Sequence, residues 1–403
     1  MLADIHSFNL GENVDMMNMF ADDPHLKTKS TAISRYPWVR WERGLLGLKL
    51  PGFAAKALAR FFYVLQEKFG GTVFINCEAT TSVVHSYNLT TYWIMVFDRR
   101  RMDCYKLALS AGSKDRTVLD VGTGATLPLA RFAVDYGAAH VHAIEANDRT
   151  LAAARECIKR HDLVGQINLL HGLSTEIDLP NRVDLIVHEI IGTVASSEGA
   201  PLFIKDLVDR ALVTDGCVVP CGFATRLMPV DTTHRPNPWK RVVSSIVGGC
   251  RDYISDRGLQ VVCNPNRRTF LTDTPPLIDK WDFSDPSIIS NWSLTCDENI
   301  EILVSRPGFF SGCLLWPEIY FPDTNEFFDG NAVTNWGSMF VRLFRDAVPV
   351  RPGDRIVVRF RVDARTADPK YHIHVELPNG VSSEIKWQGA GHLSTLLAPD
   401  EQI

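Results

Sequence analysis

The chain has 403 residues, 45% of them hydrophobic and 22% charged, with a formal net charge of −5. That balance belongs to a folded chain long enough for two domains and excludes an intrinsically disordered one. The lack of a Lys/Arg-rich block or stripe excludes a nucleic-acid footprint, and no apolar run reaches the length needed to cross a bilayer. The first residues, Met1-Leu2-Ala3-Asp4-Ile5-His6, have neither the basic region nor the apolar core of a signal peptide. Nine scattered cysteines without a CxxC pair fit a reduced, cytoplasmic setting.

Residues 1–84 are the least legible stretch and receive no role. Within them Phe53 to Phe69 reads as one amphipathic helix, entered after Pro51-Gly52 and ended by Gly70-Gly71. A short strand, Thr72 to Asn76, is expected next.

The first strong signal is Thr117-Val118-Leu119-Asp120-Val121-Gly122-Thr123-Gly124, an apolar run that ends in a glycine turn. A helix-compatible segment, Leu127 to Tyr136, leads to a second strand-like run, Val141 to Ile144, closed by Glu145. The glycines thus sit at the carboxyl end of a strand, where open parallel sheets bind ligands. Without a Cβ at Gly122 and Gly124 a ligand can lie against the backbone. Glu145 is placed to hydrogen-bond two ribose hydroxyls. The third glycine of the dinucleotide fingerprint is missing, since Ala125-Thr126-Leu127 follows. S-adenosylmethionine, which has an adenosine and no phosphate, fits better than a dinucleotide.

Thr150 to Arg160 reads as a helix and Ile167 to Leu170 as a strand. A buried strand then delivers Glu189 at the end of Val183-Asp184-Leu185-Ile186-Val187-His188, and a short loop returns with Glu198. A guanidinium is a planar fork of donors, and two carboxylates can grip two of its edges at once. Leu202 to Leu212 is a further helix and Cys217 to Pro220 a strand. The alternation from 117 to 220 predicts a Rossmann-like, doubly wound sheet. After Pro220 short β-rich runs follow at Ala224–Met228, Ile300–Val304, Cys313–Phe321, Met339–Leu343, Arg355–Val362 and Tyr371–Val375, a spacing that suggests an antiparallel barrel or sandwich. Arg235 to roughly Pro286 interrupts it with Pro236, Pro238, Pro265, Pro275 and Pro276. His372 and His374 alternate onto one strand face without a third ligand, so no metal site is expected.

The glycine turn and the two glutamates together resemble the arginine N-methyltransferase family over roughly residues 85–395. The resemblance implies a cofactor-binding domain at 85–221 and a β-barrel acceptor-binding domain at 222–403. It reads 235–286 as a helical dimerisation arm, and hence implies a homodimer. It further implies S-adenosylmethionine as cofactor and S-adenosylhomocysteine as product. Cofactor contacts then fall on Tyr87, Arg101 (for the methionyl carboxylate), Asp120, Gly122, Gly124, Glu145 and Glu176 (toward the adenine), and acceptor contacts on Met95, Asp98, Glu189, Glu198 and Asn335. Two departures stand out. Val333-Thr334-Asn335-Trp336-Gly337 aligns with a threonine-histidine-tryptophan loop, so the histidine assigned to pair with Asp98 is here an asparagine, which cannot titrate. Gly199-Ala200 replaces the bulky residue that many dimethylating members carry.

The expected activity is methyl transfer to the guanidino group of arginine, in a protein or peptide. The alternative acceptor is free arginine or another small guanidino compound. A non-catalytic module that kept the fold is opposed by Glu189, Glu198 and Arg101. A nicotinamide dehydrogenase lacks both the third glycine and a hydride-transfer constellation.

Overall fold

The computed structural model describes residues 98–233, 259–262, 270–322, 327–329, 336 and 338–389. The helix expected at Phe53–Phe69, the strand after it, and the site candidates Tyr87, Met95 and Asn335 lie outside these.

The chain enters at α1 (Arg99–Gly112), capped by the Asp98 carboxylate, which accepts from the Arg101 N–H at 3.3 Å. Five parallel strands follow: β1 (Thr117–Val121), β2 (His140–Glu145), β3 (Ile167–His171), β4 (Val183–His188) and β5 (Leu212–Val219), in the order β3-β2-β1-β4-β5. Between them run α2 (Pro128–Asp135), α3 (Asp148–Arg160), a 3-10 turn (Ser174–Glu176) and α4 (Ala200–Ala211). β1, β2 and β4 are buried nearly throughout, which is why they read as continuous apolar runs rather than alternations. Strand order reverses between β1 and β4, where Val121 pairs with His188. That switch point opens a crevice at the carboxyl ends of both strands.

From Gly222 on, all the strand pairing is antiparallel among the described residues. One sheet contains β6 (Gly222–Asp231), β7 (Leu259–Val262), β8 (Leu277–Asp282), β10 (Gly308–Tyr320) and β12 (Ser338–Arg342) in the order β7-β12-β10-β6-β8, with β11 (Phe327–Asp329) and β13 (Val348–Val350) also on β10. A second has the order β16-β15-β14-β9: β9 (Thr295–Leu303), β14 (Arg355–Asp363), β15 (Lys370–Glu376) and β16 (Ser382–Gln388). Between β8 and β9 lies the short α5 (Pro286–Ser290). Met228, Val230, Phe270, Leu314, Trp316 and Phe340 form one core cluster; Phe360, Tyr371 and Trp387 pack together on the second sheet, with the Tyr371 and Trp387 rings stacked at 5.0 Å.

Within the stretch 235–286 expected as an arm, the described residues include two strands. β7 pairs with β12, and β8 pairs with β6. Pro275-Pro276 reads as a breaker, yet the pair only introduces β8, and the Pro276 carbonyl accepts from the Leu227 N–H at 3.0 Å. Residues 234–258 and 263–269 lie outside the described residues.

Candidate active site

The crevice brings two groups of sequence-predicted residues together. On the β1 side Gly122 and Gly124 both take φ +72°, a left-handed conformation that suits glycine. The N–H groups of Gly122 and Thr123 donate to the Ile144 carbonyl at 3.0 and 2.9 Å, closing the turn against β2. Asp120 lies beneath the turn, 1% exposed. Its Oδ2 accepts from Thr123 Oγ1 (2.6 Å) and the Ala130 N–H (3.1 Å), whereas Oδ1 is buried with no hydrogen-bond partner among the described residues. Burial pushes its pKa up to about 7.

Glu145, 6% exposed at the end of β2, is held before any ligand arrives. Oε2 accepts from the Gly124 N–H at 3.0 Å and Oε1 from the Asn147 N–H at 2.8 Å. These bonds aim the carboxylate and leave each oxygen a further lone pair, and burial raises its pKa. Glu176 ends the 3-10 turn with its side chain exposed. That turn is tied to α4: the Arg210 guanidinium donates to the Ser174 carbonyl and, at 2.6 Å, to the Ile177 carbonyl.

On the β4 side Glu189 leaves the strand and Glu198 closes the loop just before α4. The loop lies directly on the glycine turn: a Cβ at Gly122 would stand 3.2 Å from Ile190 Cγ2. Glu198 is 6% exposed. Glu189 forms an ion pair with the Arg101 guanidinium, whose other face is covered by the Trp336 ring 4.1 Å away. Trp336 Nε1 donates to the Ile191 carbonyl at 2.8 Å, so the indole is fixed to the same loop. Tyr105, sealed and with its pKa raised by burial, donates to the His188 carbonyl at 2.9 Å. The structure therefore gathers Arg101, Asp120, Gly122, Gly124, Glu145 and Glu189 about the carboxyl ends of β1, β2 and β4, with Asp98 capping α1 and Glu198 buried at the end of the loop.

Sequence reasoning did not assign Trp336, Asp279, Ser196 or Arg210 a role. Trp336 had a signal, since it stands inside the quoted loop beside Asn335. His188 precedes Glu189 but is fully buried against Phe283, and burial lowers its pKa to about 3. His372 is occupied elsewhere, with Nε2 at 2.9 Å from Glu384 Oε2. Among the described residues no three His, Cys, Asp or Glu form a metal cluster, and no helix is long and apolar enough to cross a membrane.

These features fit the S-adenosyl ligand expected from the sequence. The glycine turn gives close access to backbone. The unpartnered Asp120 oxygen suits a cation, and the aimed Glu145 carboxylate suits a diol.

No protein-family model matches the chain. In sequence, 156 residues are 33% identical to histone-arginine methyltransferase CARMER of Culex quinquefasciatus, covering 36% of this chain and 26% of that protein. A stretch of 139 residues is 32% identical to protein arginine N-methyltransferase PRMT10 of Oryza sativa subsp. japonica, 34% of this chain and 36% of that one. The chain thus matches between about a quarter and two-fifths of the length of these curated relatives. In fold, it resembles the Trypanosoma brucei PRMT1 enzyme-prozyme heterotetrameric complex with AdoHcy, with a TM-score of 0.60, 18% identity and coverage of 75% of this chain and 98% of that one. It also resembles Arabidopsis thaliana protein arginine methyltransferase 10, with a TM-score of 0.58, 20% identity and coverage of 75% and 97%. The family resemblance carried by the motifs is therefore what both comparisons return.

Proposed function

We propose that this chain, which shares its fold with the protein arginine methyltransferases and aligns about a third of its length with them at 32–33% identity, is itself an S-adenosylmethionine-dependent arginine N-methyltransferase acting on protein or peptide arginine. One observation carries the reading. The glycine turn and the Glu189–Glu198 loop meet at the sheet's switch point, so a cofactor on one side and a guanidinium on the other would be neighbours.

In this reading Gly122 and Gly124 line the cofactor, Glu145 takes the ribose, Asp120 faces positive charge, and Arg101 takes the methionyl carboxylate. Tyr87 and Glu176 complete the cofactor set. The bound cofactor supplies a methyl group on a sulfonium, already an excellent leaving group. Glu189 and Glu198 grip the acceptor guanidinium, turn one terminal nitrogen toward that methyl, and hold the cation while the nitrogen loses its proton. Met95 is assigned to the guanidine by the family resemblance alone. Orientation supplies most of the rate and fixed charge the next share. With asparagine at 335 where the family has histidine, no imidazole is available there to carry the proton.

The Arg101–Glu189 pair supports the assignment of the clamp: a guanidinium already lies between that carboxylate and an indole face. Relatives named for action on histone or protein arginine support a macromolecular acceptor over free arginine. The Trypanosoma complex is an assembly of several chains, which supports oligomerisation, and we read this chain as a homodimer. We place it in the cytoplasm, in keeping with the six described cysteines, all free thiols. The test is incubation with cofactor labelled on its methyl group, beside an arginine-rich peptide and beside free arginine. Label recovered as methylarginine from the peptide supports the reading. Label in free arginine alone moves the acceptor to a small molecule, and label in neither overturns it.

A further inference from the structure

We propose that Asp279 is a positioning residue for the acceptor clamp: from the antiparallel sheet it fixes the returning limb of the Glu189–Glu198 loop, and through it the direction of the Glu198 carboxylate. The inference rests on the methyl-transfer reading only for its kinetic consequence.

The loop between the two glutamates has no strand or helix to satisfy its backbone, so its buried N–H groups need other partners. Two of them find these on the antiparallel half. The Ala195 N–H donates to Thr225 Oγ1 at 2.9 Å, and the Ser196 N–H donates to Asp279 Oδ2 at 3.1 Å. Ser196 Oγ lies 2.8 Å and Thr225 Oγ1 3.1 Å from the same Oδ2, while Trp281 Nε1 donates to Oδ1 at 2.7 Å. Tyr371 on β15 adds its hydroxyl, 2.7 Å from Ser196 Oγ. Ser196, Thr225, Asp279 and Tyr371 are all fully buried.

The direction of these bonds follows from the donor count. A serine has one hydrogen to give, and Asp279, as a carboxylate, can only accept. Ser196 therefore donates to Asp279, and the Tyr371 hydroxyl donates to Ser196. Thr225 likewise donates to Asp279 while accepting from Ala195. Four donors converge on one carboxylate, three on Oδ2 and one on Oδ1. Burial pushes Asp279 up to about 6, so it is ionised at neutral pH, the state the donors require.

The backbone is shaped for this job. Thr225 pairs with Ile278 and Phe223 with Trp281, so Asp279 and Lys280 together stand opposite the single residue Ala224. This is a β-bulge, a device that re-aims a side chain. Asp279 takes φ +50° there, a left-handed conformation that Asp and Asn tolerate better than other side chains. The far side of Glu198 is pinned as well. Gly199 has φ +81°, and a Cβ on it would stand 2.6 Å from the Ala367 carbonyl oxygen. Glu198 is thus held between the Ser196 anchor and the Gly199 contact.

The test uses Asp279→Asn, which keeps size and tolerates the left-handed backbone but loses an acceptor. With an arginine peptide, kcat is expected to fall roughly tenfold or more, as a misaimed group costs. The Kd for S-adenosylmethionine, measured by calorimetry, should stay within about twofold. In a Glu198→Gln background the same change should add little, because residues that act as one unit are not additive. Amide hydrogen exchange across residues 190–199 should quicken. Ser196→Ala, away from the bulge, should move kcat and exchange in the same direction, and it decides the matter if Asp279→Asn does not fold. Parental kcat, or a full additional loss on top of Glu198→Gln, overturns the proposal. If the parent methylates no arginine, the functional reading has failed, and exchange alone then decides: unchanged protection at 190–199 overturns the positioning role.

Discussion

Arg101 and Glu189 form an ion pair that is almost sealed from water, at 2% and 11% exposure, with the Trp336 ring laid over the guanidinium. One residue was expected from the sequence to serve the cofactor and the other the acceptor. Their contact joins the two subsites without any intervening residue. Removing one partner from a buried pair leaves an uncompensated charge, so Arg101→Ala should destabilise the fold by about 3 kcal/mol or more. Arg101→Lys keeps the charge and loses the planar fork and its stacking, so it should lie between. Chemical denaturation of the three proteins checks the order.

The two glutamates should govern turnover. Glu198→Gln preserves shape and removes half of the clamp's charge. Leaving the cation partly unpaired should cost roughly 3–5 kcal/mol, a rate loss on the order of a hundredfold or more. Cofactor affinity should hardly change, since Glu198 is assigned to the acceptor and not to the cofactor. Glu189→Gln should lose at least as much turnover. Steady-state kinetics on a peptide, paired with cofactor titration, separates the two effects; near-normal turnover by either variant would falsify the clamp.

Asp120 gives a pH signature. Burial lifts its pKa from 3.8 to about 7. The folded ligand-free chain then holds this proton more tightly than the unfolded chain does. The group's contribution to stability is full below pH 3.8 and is lost as pH rises through about 7. Asp120→Asn should flatten thermal stability across that window by up to about 4 kcal/mol. Glu145, also raised by burial, leaves a residual slope. A cationic cofactor reverses the preference and needs the carboxylate. Its affinity should fall about tenfold per pH unit below 7 in the parent and not in Asp120→Asn. Calorimetry at pH 6 and pH 8 distinguishes the two.

Arg210 predicts a separable effect on cofactor binding. Its guanidinium ties two carbonyls of the Ser174–Ile177 turn to α4. Arg210→Ala should free that turn and weaken S-adenosylmethionine binding by roughly tenfold, the value of one hydrogen bond to a charged group. The KM for an arginine peptide should stay near the parental value. An unchanged cofactor Kd would remove the turn from the site.

What could be read from the sequence follows what each feature depends on. β1 and β4 were legible because both faces are buried and the apolar run is unbroken. The glycine turn and the two glutamates were legible because their spacing lies within short segments. β8 was hidden, since Pro275-Pro276 reads as a breaker, and LIDKWD mixes apolar and charged residues around a bulge. β16 was hidden by its polar composition, SSEIKWQ, in which only Trp387 is fully buried. Asp279 had no local signal at all. Its role depends on Ser196, 83 residues away, and on Tyr371 in another sheet. The resemblance assigned Arg101 to the cofactor, but its bond to Glu189 depends on how α1 meets the end of β4.

The contact between Gly199 and the Ala367 carbonyl changes what the small residue there signifies. From sequence, Gly199-Ala200 stands only as a departure from the bulky residue that many dimethylating members carry. In the fold, the space at residue 199 is taken by backbone from the loop that leads into β15. The position is a coupling between two distant stretches of chain. A lineage could enlarge residue 199 only after moving that loop, and such a move would carry Glu198 with it. Changes in acceptor preference at this corner are therefore expected to arise in pairs, one in the clamp and one about 170 residues downstream.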